Sequence, residues 1–192
     1  MQIGHYKLTT LVLLILGLSF LLTLIFSWLE KHFKKFALPS IISIIGGVLI
    51  FINQVAWKWP IINPLLVDLP IIEGEYKGTV FIGHISSNKT EIIDSVNVYL
   101  KQSGTSTTLD LYSPGGSHSE SILADLKQVN EIWYLYLYYT NENSKNLHNK
   151  NRYDGASKCE IQQNGNKIKI TGKFFNDETR KTYGFVEFNK IK

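Results

Sequence analysis

The sequence predicts a membrane-anchored all-β protein: an N-terminal two-helix transmembrane hairpin followed by a small antiparallel β-barrel of about eight strands. Three observations predict it. Two uncharged apolar runs of 22 residues each stand near the N-terminus, Leu8 to Leu29 and Phe36 to Trp57. After Asp68 the hydrophobic pattern changes to short alternating segments separated by turn residues. The charge divides at the same place. Five basic residues and one acidic residue precede Asp68, and 15 of each sign follow from there, so the whole formal +4 belongs to the apolar third.

Each apolar run reaches about 33 Å as a helix, enough for a hydrocarbon core of about 30 Å. The first holds 15 Leu, Ile, Val or Phe residues, and it is too long and too closely followed by a second run to read as a signal peptide. The second contains Pro39, Gly46-Gly47 and Asn53-Gln54 and inserts more weakly. Only Glu30 to Lys35 separates them, so residues 1–59 read as a tight hairpin with spans at about 8–29 and 36–57. Ser19, Thr23 and Ser27 recur every four residues on one helix face, as do Ser43 and Gly47 on the other. Small residues at that spacing let helices approach closely in lipid, or are simply tolerated there. Lysines are near-balanced on the two sides of the hairpin, so they do not choose an orientation.

Residues 60–70 lie in a segment carrying three of the five prolines and read as an extended connector. Residues 71–192 supply the strands. These are expected at Glu75 to Ile82, Ser95 to Gln102, Thr107 to Tyr112, Ile132 to Tyr139, Gly155 to Ile161, Lys167 to Phe175 and Thr182 to Ile191. Asn164-Gly165 marks a hairpin turn and Asn141 to Asn151 a loop. Ser117 to Gln128 fits either element, since Ser117, Ser119 and Ser121 alternate like a strand while Ile122, Leu123, Leu126 and Val129 space like a helix; a strand is favoured. Closing the sheet into a barrel removes its edges. Nine of the ten tyrosines fall in this domain and suit a planar, polar ligand.

Composition excludes several functions. A charge-neutral barrel domain disfavours DNA or RNA as partner. Cys159 stands alone, so neither an intrachain disulfide nor a cysteine metal cluster can form. No phosphate-binding glycine loop, paired-acid motif or metal-ligand spacing is present, and His118 beside Ser117 lacks any catalytic context. The chain reads as a non-enzyme without cofactor or metal.

The order of motifs then resembles a known family. Asp68-Leu69-Pro70 precedes Gly74-Glu75-Tyr76-Lys77-Gly78; the alternating serines, the Tyr-x-Tyr strand, Gly155-Ala156, and Gly172-Lys173-Phe174-Phe175 leading to Arg180 and Gly184 follow. This is similar to the SMODS-associated effectors with two transmembrane helices and a β-rich domain, the CD-NTase-associated membrane effectors of bacterial cyclic-oligonucleotide anti-phage signalling (CBASS). Pro114-Gly115-Gly116 departs from that pattern by blurring the serine strand. The resemblance implies a minimal eight-stranded barrel that binds a cyclic dinucleotide made by a partner nucleotidyltransferase. Binding then drives homo-oligomerisation, clustering of the hairpins in the inner membrane, and cell death. It also implies a barrel facing the cytoplasm, where the signal is made.

On that reading Ser117, Ser119 and Ser121 hydrogen-bond phosphate or base edges, Tyr134, Tyr136 and Tyr138 stack on bases, and Arg152 and Arg180 meet phosphate. Tyr76 is either a ligand contact or a structural lock. The competing expectations are a tethered lipocalin-like carrier of a small molecule or lipid, with a lumen of Val, Leu and Phe, and a structural envelope protein with a filled barrel.

Overall fold

A computed structural model describes residues 2–3, 6–32, 41–84, 90–143, 152–165, 167–177 and 181–191. The chain divides into two compact units, Met1–Leu69 with Ser103–Thr105, and Pro70–Gln102 with Ser106–Lys192.

In the first unit, a two-residue ladder pairs Gln2–Ile3 with Tyr6–Lys7 and leads into helix α1, Leu8–His32. Its stretch Leu8–Leu29 is, among the described residues, the one helical segment long and apolar enough to cross a membrane. Side chains such as Leu13 and Phe20 are about two-thirds exposed, at 67% and 68%. Ser19 Oγ donates to the Ile15 carbonyl at 2.7 Å, and Thr23 Oγ1 to the Ser19 carbonyl at 2.8 Å. Both hydroxyls are therefore satisfied within their own helix.

The second apolar run is helical as α2 over Ile41–Gln54 only, 14 residues, or about 21 Å. Residues 33–40, which include the start of the predicted span, lie outside the described ones. The connector departs from expectation. It is folded rather than extended, with a short helix α3 at Ile62–Leu66, and a 3₁₀ turn at Ala56–Lys58 precedes it where the predicted second span was to end. Pro64 falls in the first turn of α3, where its missing N–H costs nothing. Buried Asn63 holds the far end: its Nδ2 donates to the Leu69 carbonyl at 3.0 Å and its Oδ1 accepts from Leu69 N at 3.1 Å. Lys7 Nζ donates to the Pro64 carbonyl at 2.7 Å and lies 3.6 Å from the Asp68 carboxylate.

The second unit is a closed, eight-stranded antiparallel barrel. Its strands are β1 (Gly74–His84), β2 (Thr90–Gln102), β3 (Thr107–Tyr112), β4 (Ser117–Val129), β5 (Ile132–Asn143), β6 (Arg152–Asn164), β7 (Lys167–Asn176) and β8 (Thr182–Lys190). Each pairs with its neighbour in sequence, and β8 pairs with β1 to close the ring. The ambiguous segment is a strand, and a bulge explains the ambiguity. The register slips between Ser121 and Leu123, so Ser117, Ser119 and Ser121 share the inner face with Leu126 but not its phase. Asn141 to Asn143, expected in a loop, extend β5. Asn130 and Glu131 turn β4 into β5 with φ of 49° and 66°, the left-handed pair a two-residue hairpin requires.

One half of the barrel is packed solid. Ile72, Leu135 and Ile170 are fully buried there, with Leu126 and Ile168 nearly so. This is the half where the chain enters. Gln102 seals it, its Oε1 accepting from Ile72 N at 3.0 Å and its Nε2 donating to the Pro70 carbonyl at 2.9 Å. Tyr76, 1% exposed, donates its hydroxyl to the Ile72 carbonyl. Burial drives its phenol far above the ordinary tyrosine pKa, so it remains a neutral donor and acts as a structural lock. Tyr76→Phe leaves that carbonyl unpaired and is expected to cost about 1–2 kcal/mol, read as a lowered urea midpoint at unchanged m-value.

Candidate ligand-binding cavity

The other half of the barrel is hollow. Side chains alternate across each strand, so inward positions near the end carrying the β3–β4 turn line a cavity of about 240 Å³. Val80 and Ile82 of β1, Ile93 and Val96 of β2, and Leu109 and Leu111 of β3 form an apolar wall, continued by Leu137, Phe174, Val186 and Phe188. Ser113, Ser117, Ser119, Ser121, Tyr139, Asn141, Tyr153 and Ser157 supply the polar surface. No charged side chain lines it among the described residues.

The serines owe their positions to the bulge. Pairing of β3 with β4 is limited to Asp110–Tyr112, which leaves Leu109 N without a ladder partner. Ser121 Oγ takes that bond at 2.7 Å. Ser117 and Ser119 meet Asn141, which crosses from β5: its Nδ2 donates to Ser119 Oγ at 2.6 Å and to Ser117 Oγ at 2.8 Å, while Ser117 Oγ donates to its Oδ1 at 2.9 Å. Asn141 is only 4% exposed. The three form a pre-ordered strip of hydroxyl and amide groups beside an aliphatic wall. Two residues before Asn141 on the same face of β5, Tyr139 reaches over β6 and donates to Asn176 Oδ1 at 2.8 Å, and Asn176 Nδ2 donates to Thr182 Oγ1. Gly155 makes room for the Tyr139 ring, which a Cβ there would strike at 2.5 Å.

Cys159 also faces the cavity, with Sγ donating to Ser157 Oγ at 3.8 Å. Burial outweighs that contact and pushes its thiol up to about 11. The thiolate fraction at pH 8 is then about one part in a thousand. Iodoacetamide is accordingly expected to leave Cys159 unmodified at pH 8 and to label it as the pH nears 11 or after denaturation, followed by mass spectrometry.

The other predicted residues lie elsewhere. Tyr134, Tyr136 and Tyr138 project from the outer wall of β5, because Leu135, Leu137 and Tyr139 occupy its inner face. Lys158 Nζ sits 4.3 Å above the Tyr134 ring. Tyr138 donates to Asp154 Oδ2 at 2.8 Å, and that bond raises its phenol pKa. Arg152 is exposed, its Nε donating to Thr140 Oγ1 at 2.9 Å. Tyr76 belongs to the packed half and does not line the cavity. Arg180 lies outside the described residues. His118 and Ser117 point to opposite sides of β4, and His118 Nε2 lies 3.5 Å from Asp110 Oδ1. Sequence reasoning missed Asn141, Tyr139, Tyr153 and Ser157. The period-two rule reaches Asn141 from Tyr139 once β5 is extended by two residues.

Such a cavity fits a ligand with flat apolar faces and a rim of hydrogen-bonding groups. The model of one family, Cap15, cyclic dinucleotide receptor domain, matches residues 67–190. Neither the curated proteins nor the solved structures searched gave a match. A match over all eight strands, joined to a barrel that is hollow at one end, establishes that this chain belongs to the Cap15 cyclic dinucleotide receptor family of CBASS effectors.

Proposed function

We propose that the chain is a CBASS effector in which a cyclic dinucleotide enters the hollow end of the barrel and switches on membrane disruption. The observation that carries this is the polar strip of Ser117, Ser119 and Asn141 set against an aliphatic wall inside an otherwise packed barrel. Bases lie on Val80, Ile82 and Leu109, and the strip reads base edges, ribose or phosphate oxygens. Arg180, which follows β7, is assigned to phosphate.

Ligand binding drives homo-oligomerisation. The predicted hairpins, spans 8–29 and 36–57, then cluster in the bacterial inner membrane through Ser19, Thr23 and Ser27 and through Ser43 and Gly47. The exposed apolar surface of α1 supports this anchoring, since lipid is the natural cover for a helix apolar on every side. The barrel faces the cytoplasm, with residues 60–70 joining it to the anchor. Clustering turns weak helix contacts into effective ones through local concentration.

Dye uptake by cells co-expressing the chain and its nucleotidyltransferase tests the proposal. Uptake is expected only with both, and Gly47→Ile is expected to cut it about tenfold by blocking close helix approach, with cyclic dinucleotide affinity unchanged. Uptake without the nucleotidyltransferase, or none with it, contradicts the proposal. The alternative, a tethered lipocalin-like lipid carrier, draws support from the apolar share of the lumen. It requires the C-terminus on the far side of the membrane, which a reporter fused after Lys192 reads out.

A further inference from the structure

The outer wall of the barrel carries two like-charged cross-strand pairs of opposite sign. Lys158 on β6 stands directly opposite Lys173 on β7, and Asp110 on β3 directly opposite Glu120 on β4. Like charges that face each other across a ladder repel. Each pair is framed by aromatic surface. Beside the lysines, Tyr134 and Tyr136 wall an open groove together with Phe175, which is 61% exposed. Beside the acids, Tyr99 and Tyr112 meet edge to face at 5.8 Å, both substantially exposed.

Going round the ring, β5 lies between the two like-charged pairs on one side and β8, β1 and β2 on the other, so the pairs face different directions. One copy cannot bring its own lysine wall onto its own acidic wall. A second copy can: beyond His118, 3.5 Å from Asp110, and Glu160, which shares the lysine groove, the contact brings further opposite charge to both couples and covers exposed aromatics at once.

We propose that barrels of this protein dock on one another through unlike faces, the Lys158–Lys173 wall of one copy on the Asp110–Glu120 wall of the next. A heterologous contact of this kind propagates into rings or chains instead of stopping at a pair. The inference rests on the reading that cyclic dinucleotide binding drives self-association, and it names the surfaces that reading leaves open.

The test uses the full chain in detergent micelles, with assembly followed by analytical ultracentrifugation on adding cyclic di-GMP, cyclic di-AMP or cyclic GMP–AMP in turn. Lys158→Glu/Lys173→Glu and Asp110→Lys/Glu120→Lys are each expected to weaken assembly at least about tenfold, while an equimolar mixture of the two variants restores it. Raised salt weakens the wild-type assembly. Reversed variants that assemble like the wild type overturn the docking surface, as does a mixture that stays dispersed although each variant binds the nucleotide normally. Should a double reversal fail to fold, Lys173→Gln and Glu120→Gln serve instead, and wild-type assembly in both overturns it equally. A wild-type chain that binds a nucleotide without assembling overturns the self-association reading, and the docking surface with it.

Discussion

Ser119→Phe is expected to abolish cyclic dinucleotide binding while leaving the barrel folded. Ser119 projects from β4 into the cavity, and its hydroxyl lies 2.6 Å from Asn141 Nδ2. A phenyl ring there takes up a large part of a space of about 240 Å³ and removes one polar group from the reading strip. The loss predicted is about 100-fold or more in affinity, or roughly 3 kcal/mol. Because the ring fills existing space, the overpacking penalty of a close-packed core does not arise, and the thermal midpoint is expected to stay within a few degrees. Titration calorimetry beside a thermal melt separates the two effects. A variant that melts normally and binds normally places the ligand outside the lumen.

Gly184→Val is expected to prevent the barrel from closing. Gly184 faces inward on β8 at the seam with β1, where a Cβ would overlap the Phe81 carbonyl oxygen and the Phe174 ring. Gly78 on β1 meets the same limit, against the Glu187 carbonyl and the Phe188 ring. The nearest obstructing atom in each case is a backbone carbonyl oxygen held by the ladder itself, so it cannot turn aside as a side chain does. The seam joins the first strand to the last, and opening it exposes two long edges. A destabilisation of about 4 kcal/mol or more follows, measured by urea denaturation. Gly115→Ala is the control, because a Cβ there meets only Ser113 Oγ at 3.6 Å; it is expected to change stability by less than about 0.5 kcal/mol.

Most strands were legible because alternation is a local property. Thr107 to Tyr112 is an unbroken period-two segment between turn residues, and its bounds agree with the structure. Irregularity hid the rest. In β2 the slip in register near Ser95, whose φ is +59°, breaks the alternation, and Thr90 to Asp94 went unread. The bulge after Ser121 gave β4 its helix-like spacing. Residues 60–70 misled through their prolines, since the clamp that folds them, Asn63 on Leu69, is a local polar contact that no hydrophobic period reports.

The candidate site was half legible for a different reason. Strand β5 is apolar or aromatic on both faces, with Leu135 and Leu137 on one and Tyr134, Tyr136 and Tyr138 on the other. Alternation finds the faces without saying which points inward. The tyrosines stand outside, where the Tyr134 and Tyr136 rings lie beside Lys158 and the Tyr138 hydroxyl donates to Asp154. The aliphatic face points into the barrel, as hydrophobic burial requires. The serines break that rule, and their inward position on β4 marks the hollow end.

The most direct test is photo-crosslinking of the full chain with a cyclic dinucleotide carrying a photoactivatable base, mapped residue by residue by mass spectrometry. Label on Ser117 to Ser121 and on Leu137 to Asn141 is the predicted result. Label confined to Tyr134, Tyr136 and Lys158 on the outer wall would contradict a lumenal site.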